Sequence, residues 1–90
     1  MSRLEKLLVR VLSGNADAGI RFTELCGLLE RLGFAHRVRG SHHVFRRHGV
    51  PKLINLQEES GAAKPYQLRQ VRRILIRHGL VTIAGDAHGE

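Results

Sequence analysis

Two short runs, Phe34 to Arg39 and His42 to Arg47, are separated only by Gly40-Ser41. A two-residue loop with glycine first suits a tight antiparallel turn, because glycine takes a positive φ at no steric cost. The spacing therefore predicts a β-hairpin, which constrains this chain more than any other feature. His48-Gly49-Val50-Pro51 turns the chain again, and Lys52 to Leu56 reads as a third strand. Phe45 is the bulkiest apolar residue of the second strand, so it is expected to face the core. Side chains alternate along a strand, which turns His42 and Arg46 outward together.

The rest of the chain has helical periodicity. Residues 2–13 carry an apolar stripe of Leu4, Leu7, Leu8 and Val11, with Ser2 and Glu5 at capping-box spacing. Ser13-Gly14-Asn15 ends that helix, and a small polar loop runs on to Gly19. A second helix is expected from Thr23, as N-cap, to Leu32. Its face is Leu25, Cys26, Leu28, Leu29 and Leu32, and Gly33-Phe34 forms a Schellman-type stop. After a polar loop from Gln57 to Lys64, Pro65 opens a last helix with the stripe Leu68, Val71, Ile74 and Leu75. His78-Gly79-Leu80 closes it, Val81 to Ile83 is read as a further short strand, and Ala84 to Glu90 as a frayed tail. The fold class is α+β: a three-stranded antiparallel sheet with helices packed on one face, its other face open. The organisation is an N-terminal helix at 1–14, a main domain at 20–83 and a tail at 84–90.

Ninety residues, 42% of them apolar, make one small domain. No apolar run approaches the roughly eighteen residues of a membrane span, and no secretory signal is expected. Cys26 is the only cysteine, which leaves no disulfide framework and no cysteine-based zinc site within one chain. It is read as a small core residue, and a reducing cytoplasm is the expected setting.

Fifteen Lys+Arg against eight Asp+Glu give a formal charge of +7. The charge is segregated: no acid lies between Arg31 and Gln57, nor between Ser60 and Gly85. Twelve of the fifteen cations are arginine, whose planar fork grips phosphate oxygens in pairs. This is the footprint of a polyanion, most often nucleic acid. A solvated basic surface or a face for an acidic protein are the plainer readings.

Histidine on an open basic face suits metal-independent RNA cleavage. Imidazole as a side-chain type titrates near neutrality, so it can take a proton from a 2′-hydroxyl or give one to a leaving oxygen. Arginine alongside would stabilise the phosphorane. The strands hold no Asp or Glu, which argues against a two-metal nuclease. Two adjacent histidines hydrogen-bonded locally are the plain alternative. His36, His42, His43 and His48 lie on neighbouring strands without diagnostic ligand spacing, so no metal site is expected. Lys64 at a helix N-terminus favours a phosphate, and Tyr66 is placed to stack a base. Among Arg69, Arg72, Arg73 and Arg77 on the last helix, one or two are expected to contact phosphate.

From Phe22 to Leu80 the chain resembles the HicA toxins of bacterial HicAB toxin–antitoxin systems. The resemblance rests on a helix ending Leu32-Gly33-Phe34, then Arg39-Gly40-Ser41-His42-His43-Val44-Phe45, a third strand Ile54-Asn55-Leu56-Gln57, and Ala63-Lys64-Pro65-Tyr66-Gln67-Leu68-Arg69-Gln70-Val71 leading to Gly79-Leu80. It implies a double-stranded-RNA-binding-like fold preceded by an extra N-terminal helix. It also implies an endoribonuclease that cleaves messenger RNA, arrests growth, needs no cofactor and is neutralised by a HicB-type antitoxin. The family's catalytic histidine usually follows Gly-Ser directly, which maps to His42; in some members it lies one residue later, at His43. Gly40 and Ser41 would then shape the turn, while Arg39, Arg46, Lys64, Tyr66 and Arg69 would bind RNA. The rival readings are an RNA-binding module without catalysis and a winged-helix DNA-binding protein. Against the latter, the helix at 23–32 is mostly leucine, and its Glu24 and Glu30 would repel phosphate.

Overall fold

The computed structural model describes residues 2–14 and 19–83. Within them the order is α1 (Arg3–Ser13), α2 (Phe22–Arg31), β1 (Ala35–Arg39), β2 (His42–Arg47), β3 (Val50–Gln57) and α3 (Pro65–Arg77). The fold is α+β, with the strands in an antiparallel meander, β1-β2-β3.

Local chemistry sets most helix ends. The Ser2 hydroxyl accepts the Glu5 N–H at 3.1 Å and the Glu5 carboxylate accepts the Ser2 N–H at 2.8 Å, completing the capping box of α1. Both later helices stop as expected. Gly33 takes φ +97° and Phe34 N–H reaches back to the Leu29 carbonyl at 3.0 Å; Gly79 takes φ +67° and Leu80 N–H reaches Leu75 at 2.8 Å.

The start of α2 differs from expectation. Arg21, not Thr23, is its N-cap, and Phe22 is already helical. The Glu24 carboxylate accepts the Arg21 N–H at 3.1 Å, and Phe22 N–H is fixed to the Gly61 carbonyl at 3.0 Å. A tertiary contact with the 58–64 loop therefore decides this boundary.

In the hairpin, Arg39 pairs with His42 across Gly40-Ser41, and Gly40 has φ +63° as a glycine-first turn requires. β1 begins one residue later than expected, because Phe34 is used to close α2. β3 exceeds the expected 52–56 at both ends. Pro51 lies within it, which costs no ladder bond where the missing N–H faces away from the sheet, and β3 is an edge strand. Val81 to Ile83 form no strand; Ile83 instead buries its side chain in the core. The loop residues at 15–18 and the tail at 84–90 lie outside the described residues.

One apolar cluster holds the elements together. Phe45, Ile54 and Leu56 from the sheet meet Leu25, Leu28 and Leu29 of α2, Leu68, Val71 and Leu75 of α3, and Leu8 and Val11 of α1. Each such side chain contributes about 1.5–3 kcal/mol when fully buried. Arg72 ties α3 to α1, its Nε donating to the Val11 carbonyl at 2.7 Å. All three helices thus share the core on one side of the sheet, and among the described residues no helix covers the opposite side. Among the described residues no helix is long and apolar enough to cross a membrane.

Candidate functional site

The register of the sheet sorts its side chains into two faces. On the open face, β2 presents His42, Val44 and Arg46. Their partners are Arg39, Arg37 and Ala35 on β1, with Gln57 and Asn55 opposite His42 and Val44 on β3. His42 is exposed and stands in the central strand between Arg39 and Gln57. Arg37, Arg39 and Arg46 are exposed too, and no residue of the three strands is acidic. Ala35, Arg37, Val44 and Arg46 line a shallow depression of about 150 Å³. The result is an uncovered cationic surface with one imidazole in it.

The other expected contacts are distributed around this surface. Gln67 is buried in the first turn of α3, where it accepts from Lys64 N–H at 3.0 Å and donates to the Gln57 carbonyl at 2.9 Å. Gln57 pairs with His42, so the start of α3 sits at the His42 end of the sheet. Lys64 and exposed Tyr66 therefore lie at that end, although the Lys64 ammonium is 3.9 Å from the Glu59 carboxylate. Arg69 is exposed on α3, on the helix side of the sheet, and does not share a face with His42. Arg72 is engaged with α1. Arg47 serves the fold as well: its Nε donates to the Leu32 carbonyl at 2.8 Å at the end of α2. Arg73, Arg77, Lys52 and His78 surround a separate hollow of about 390 Å³ between β3 and α3. Arg37, Asn55 and Gln57 were not singled out from sequence. The two-residue turn would have found Arg37, because it fixes the register that sets Arg37 opposite Val44.

His43, the alternative catalytic histidine, points the other way. Its side chain is 12% exposed, packed edge-on against Phe22 with ring centroids 4.8 Å apart. Its Nδ1 meets Nε2 of His36 at 2.8 Å, and its Nε2 lies 3.7 Å from Glu58. His36 stacks on Phe45 at 4.2 Å, and its Nδ1 donates to the Glu30 carboxylate at 2.7 Å. The Cys26 thiol completes this group: Sγ and one nitrogen from each histidine lie within 4.8 Å of one another. Burial, with Glu30 and then Glu58 adding to it, pushes the thiol up from its ordinary 9.0 to about 11. Cys26 is buried as the helix stripe predicts, yet it is also the third member of a histidine cluster that its helical position did not disclose.

No family model, curated protein or solved structure matches this chain.

Proposed function

We propose that this chain is a HicA-like endoribonuclease that cleaves messenger RNA on the open face of its sheet, with His42 as general acid/base. The single observation that carries the reading is the environment of His42. It is an exposed imidazole in the central strand, flanked by Arg39 and Gln57 and backed by Arg37 and Arg46, and none of the three strands holds an acidic residue. A helices-on-one-side α+β sandwich is compatible with the double-stranded-RNA-binding-like fold that the resemblance implies.

The chemistry follows from those groups. Arginine side chains fix successive phosphates and orient the strand across the sheet. The His42 imidazole takes the proton of a 2′-hydroxyl, and O2′ attacks the adjacent phosphorus. The P–O5′ bond breaks, and the imidazolium returns a proton to the departing 5′-oxygen. The products are a 2′,3′-cyclic phosphate and a 5′-hydroxyl. Arg39 and Arg46 stabilise the extra negative charge at the pentacoordinate stage. A HicB-type antitoxin would silence the enzyme by covering this face.

The test is inducible expression of the wild type, His42→Ala and His43→Ala, scoring growth arrest and messenger RNA decay. Cleavage of RNA by the purified proteins in chelator accompanies it. Arrest and cleavage by the wild type, abolished in folded His42→Ala, is the expected result. Intact RNA with a folded, antitoxin-free wild type overturns it. Salt-sensitive RNA binding without any cleavage would then identify a binding module.

A further inference from the structure

The covered face of the sheet carries a second constellation that RNA cleavage does not use. Cys26 comes from α2, His36 from β1 and His43 from β2. One nitrogen of each imidazole and the thiol sulfur lie within 4.8 Å of one another, and each imidazole also has a nitrogen facing a carboxylate. For His36 that carboxylate is Glu30 at 2.7 Å, and for His43 it is Glu58 at 3.7 Å. Carboxylates behind histidines are the usual outer support of a bound metal ion, because they fix the tautomer and raise ligand basicity.

The 2.8 Å approach of His36 Nε2 and His43 Nδ1 is met in the metal-free protein by a hydrogen bond between the two rings, one nitrogen donating and the other accepting. A metal ion would replace that bond by taking a lone pair from each ring. His36 Nδ1–H still donates to Glu30, Glu58 faces His43 Nε2 at 3.7 Å, and the adjacent thiol supplies a thiolate.

We propose that Cys26, His36 and His43 bind one zinc-class divalent cation through Sγ, Nε2 and Nδ1, with Glu30 and Glu58 supporting the histidines from behind. Starting from the neutral, hydrogen-bonded imidazoles, the inter-ring hydrogen moves to the far nitrogen of its own ring, so binding M²⁺ releases one proton, that of the thiol. The fourth position is left to water. Thiolate with imidazole favours zinc or cobalt over magnesium or calcium. The required adjustment is small. Tetrahedral zinc places its nitrogens about 3.3 Å apart and sulfur about 3.6 Å from nitrogen. The imidazoles would part by about half an ångström, and the thiol, starting within 4.8 Å, would close by about one at most. His36 and His43 side chains are only 15% and 12% exposed, and the rings of Phe22 and Phe45 flank them, which limits solvent access to the histidine side of the site. Such an ion would fasten α2 to both strands of the hairpin. His42, on the opposite face, takes no part, so this inference holds whatever chemistry the open face performs.

The experiment is titration of the untagged full-length chain with Co²⁺, followed by absorbance and then by displacement with Zn²⁺. One equivalent of Co²⁺ should give tetrahedral visible bands and a thiolate-to-cobalt charge-transfer band in the near ultraviolet. Cys26 is the only cysteine, so that band in the wild type identifies the ligand without any variant. The band should vanish in Cys26→Ser. Affinity should fall at least about tenfold in His36→Ala and His43→Ala, and about 10–100-fold in Glu30→Gln with stoichiometry retained. His48→Ala, in the β2–β3 turn, should bind as the wild type does. Absence of a charge-transfer band in the folded wild type overturns the proposal. So does full-strength binding in both histidine variants, which would reduce the thiol to an adventitious ligand.

Discussion

His42 and His43 are adjacent in the chain and separated by the thickness of the sheet. His42 lies on an exposed surface opposite Arg39, open to solvent. His43 lies against Phe22, its nitrogens directed at His36 and Glu58. The same side chain thus stands in two environments because strand alternation sends neighbours to opposite faces. One face provides access and positive charge, as a reaction on a polyanion needs. The other provides low exposure and paired partners, as a fixed structural group needs. Function and stability should therefore separate cleanly between the two residues.

The largest effect expected of that separation is on cleavage. His42→Ala should lower RNA cleavage by about 10²–10⁴-fold, the usual range for a general acid/base. Its stability should stay within about 0.5 kcal/mol of the wild type, as for an exposed side chain. His43→Ala should do the reverse, losing about 1–3 kcal/mol through its buried contacts while the folded fraction still cleaves. Cleavage rates set beside urea unfolding curves read both quantities. If His43→Ala removes cleavage without loss of stability, the roles assigned to the two faces are exchanged.

A second pair tests the faces through packing alone. Phe45 is fully buried and stacked on His36, so Phe45→Ala should cost about 3–5 kcal/mol in a denaturant titration. Val44, one residue away on the open face, is only half-buried, and Val44→Ala should cost less than about 1 kcal/mol. A comparable loss at Val44 would mean that the open face is packed in solution, against another molecule or a second copy.

The sequence discloses this architecture unevenly, for identifiable reasons. The capping box at Ser2 and Glu5, the glycine stops at Gly33 and Gly79, and the Gly40-Ser41 turn are local, so a few adjacent residues suffice to read them. Phe45 as the inward anchor follows from size and alternation, and the outward placement of His42 follows from Phe45. The boundaries that differ depend on distant partners. Phe22 is held in α2 by Gly61, and Pro51 belongs to β3 because that strand is an edge. Cys26 meets His36 and His43 only after α2 packs on the sheet. The histidine pair was nonetheless within reach. With Arg39 opposite His42, the register sets His43 against Val38 and makes His36 its diagonal neighbour on the same face. The charge pattern leads to the expectation of a polyanion partner but does not tell which arginines are free to meet one, because the Arg47 and Arg72 contacts to Leu32 and Val11 are tertiary.

That last distinction can be measured. The affinity of single-stranded RNA should fall with salt, and each phosphate contact removed should flatten the log–log slope by about 0.7. Arg37→Gln and Arg39→Gln, on the open face, are each expected to do so. Arg69→Gln, on α3 behind the sheet, should leave the slope unchanged. Equal flattening at Arg69 would extend the binding surface around the start of α3, past Tyr66.

The smallest effect concerns the covered face in the metal-free protein. The Cys26 thiol is pushed up from 9.0 to about 11, first by burial and then by Glu30 and Glu58. Between those values the unfolded chain has released its thiol proton while the folded chain retains it. The folded state then binds more protons, so stability must fall as pH rises through this window and level off above it. Lysine and tyrosine also titrate there, so the decline of the wild type alone identifies nothing. The difference between wild type and Cys26→Ala isolates the thiol. Thermal unfolding in chelator from pH 8 to 11 should show the wild type losing more stability than the variant, with the two curves parallel below pH 8.5. Parallel curves throughout would mean that the thiol ionises as readily folded as unfolded. Cys26 would then lie in a wetter and less acidic setting than the covered face provides.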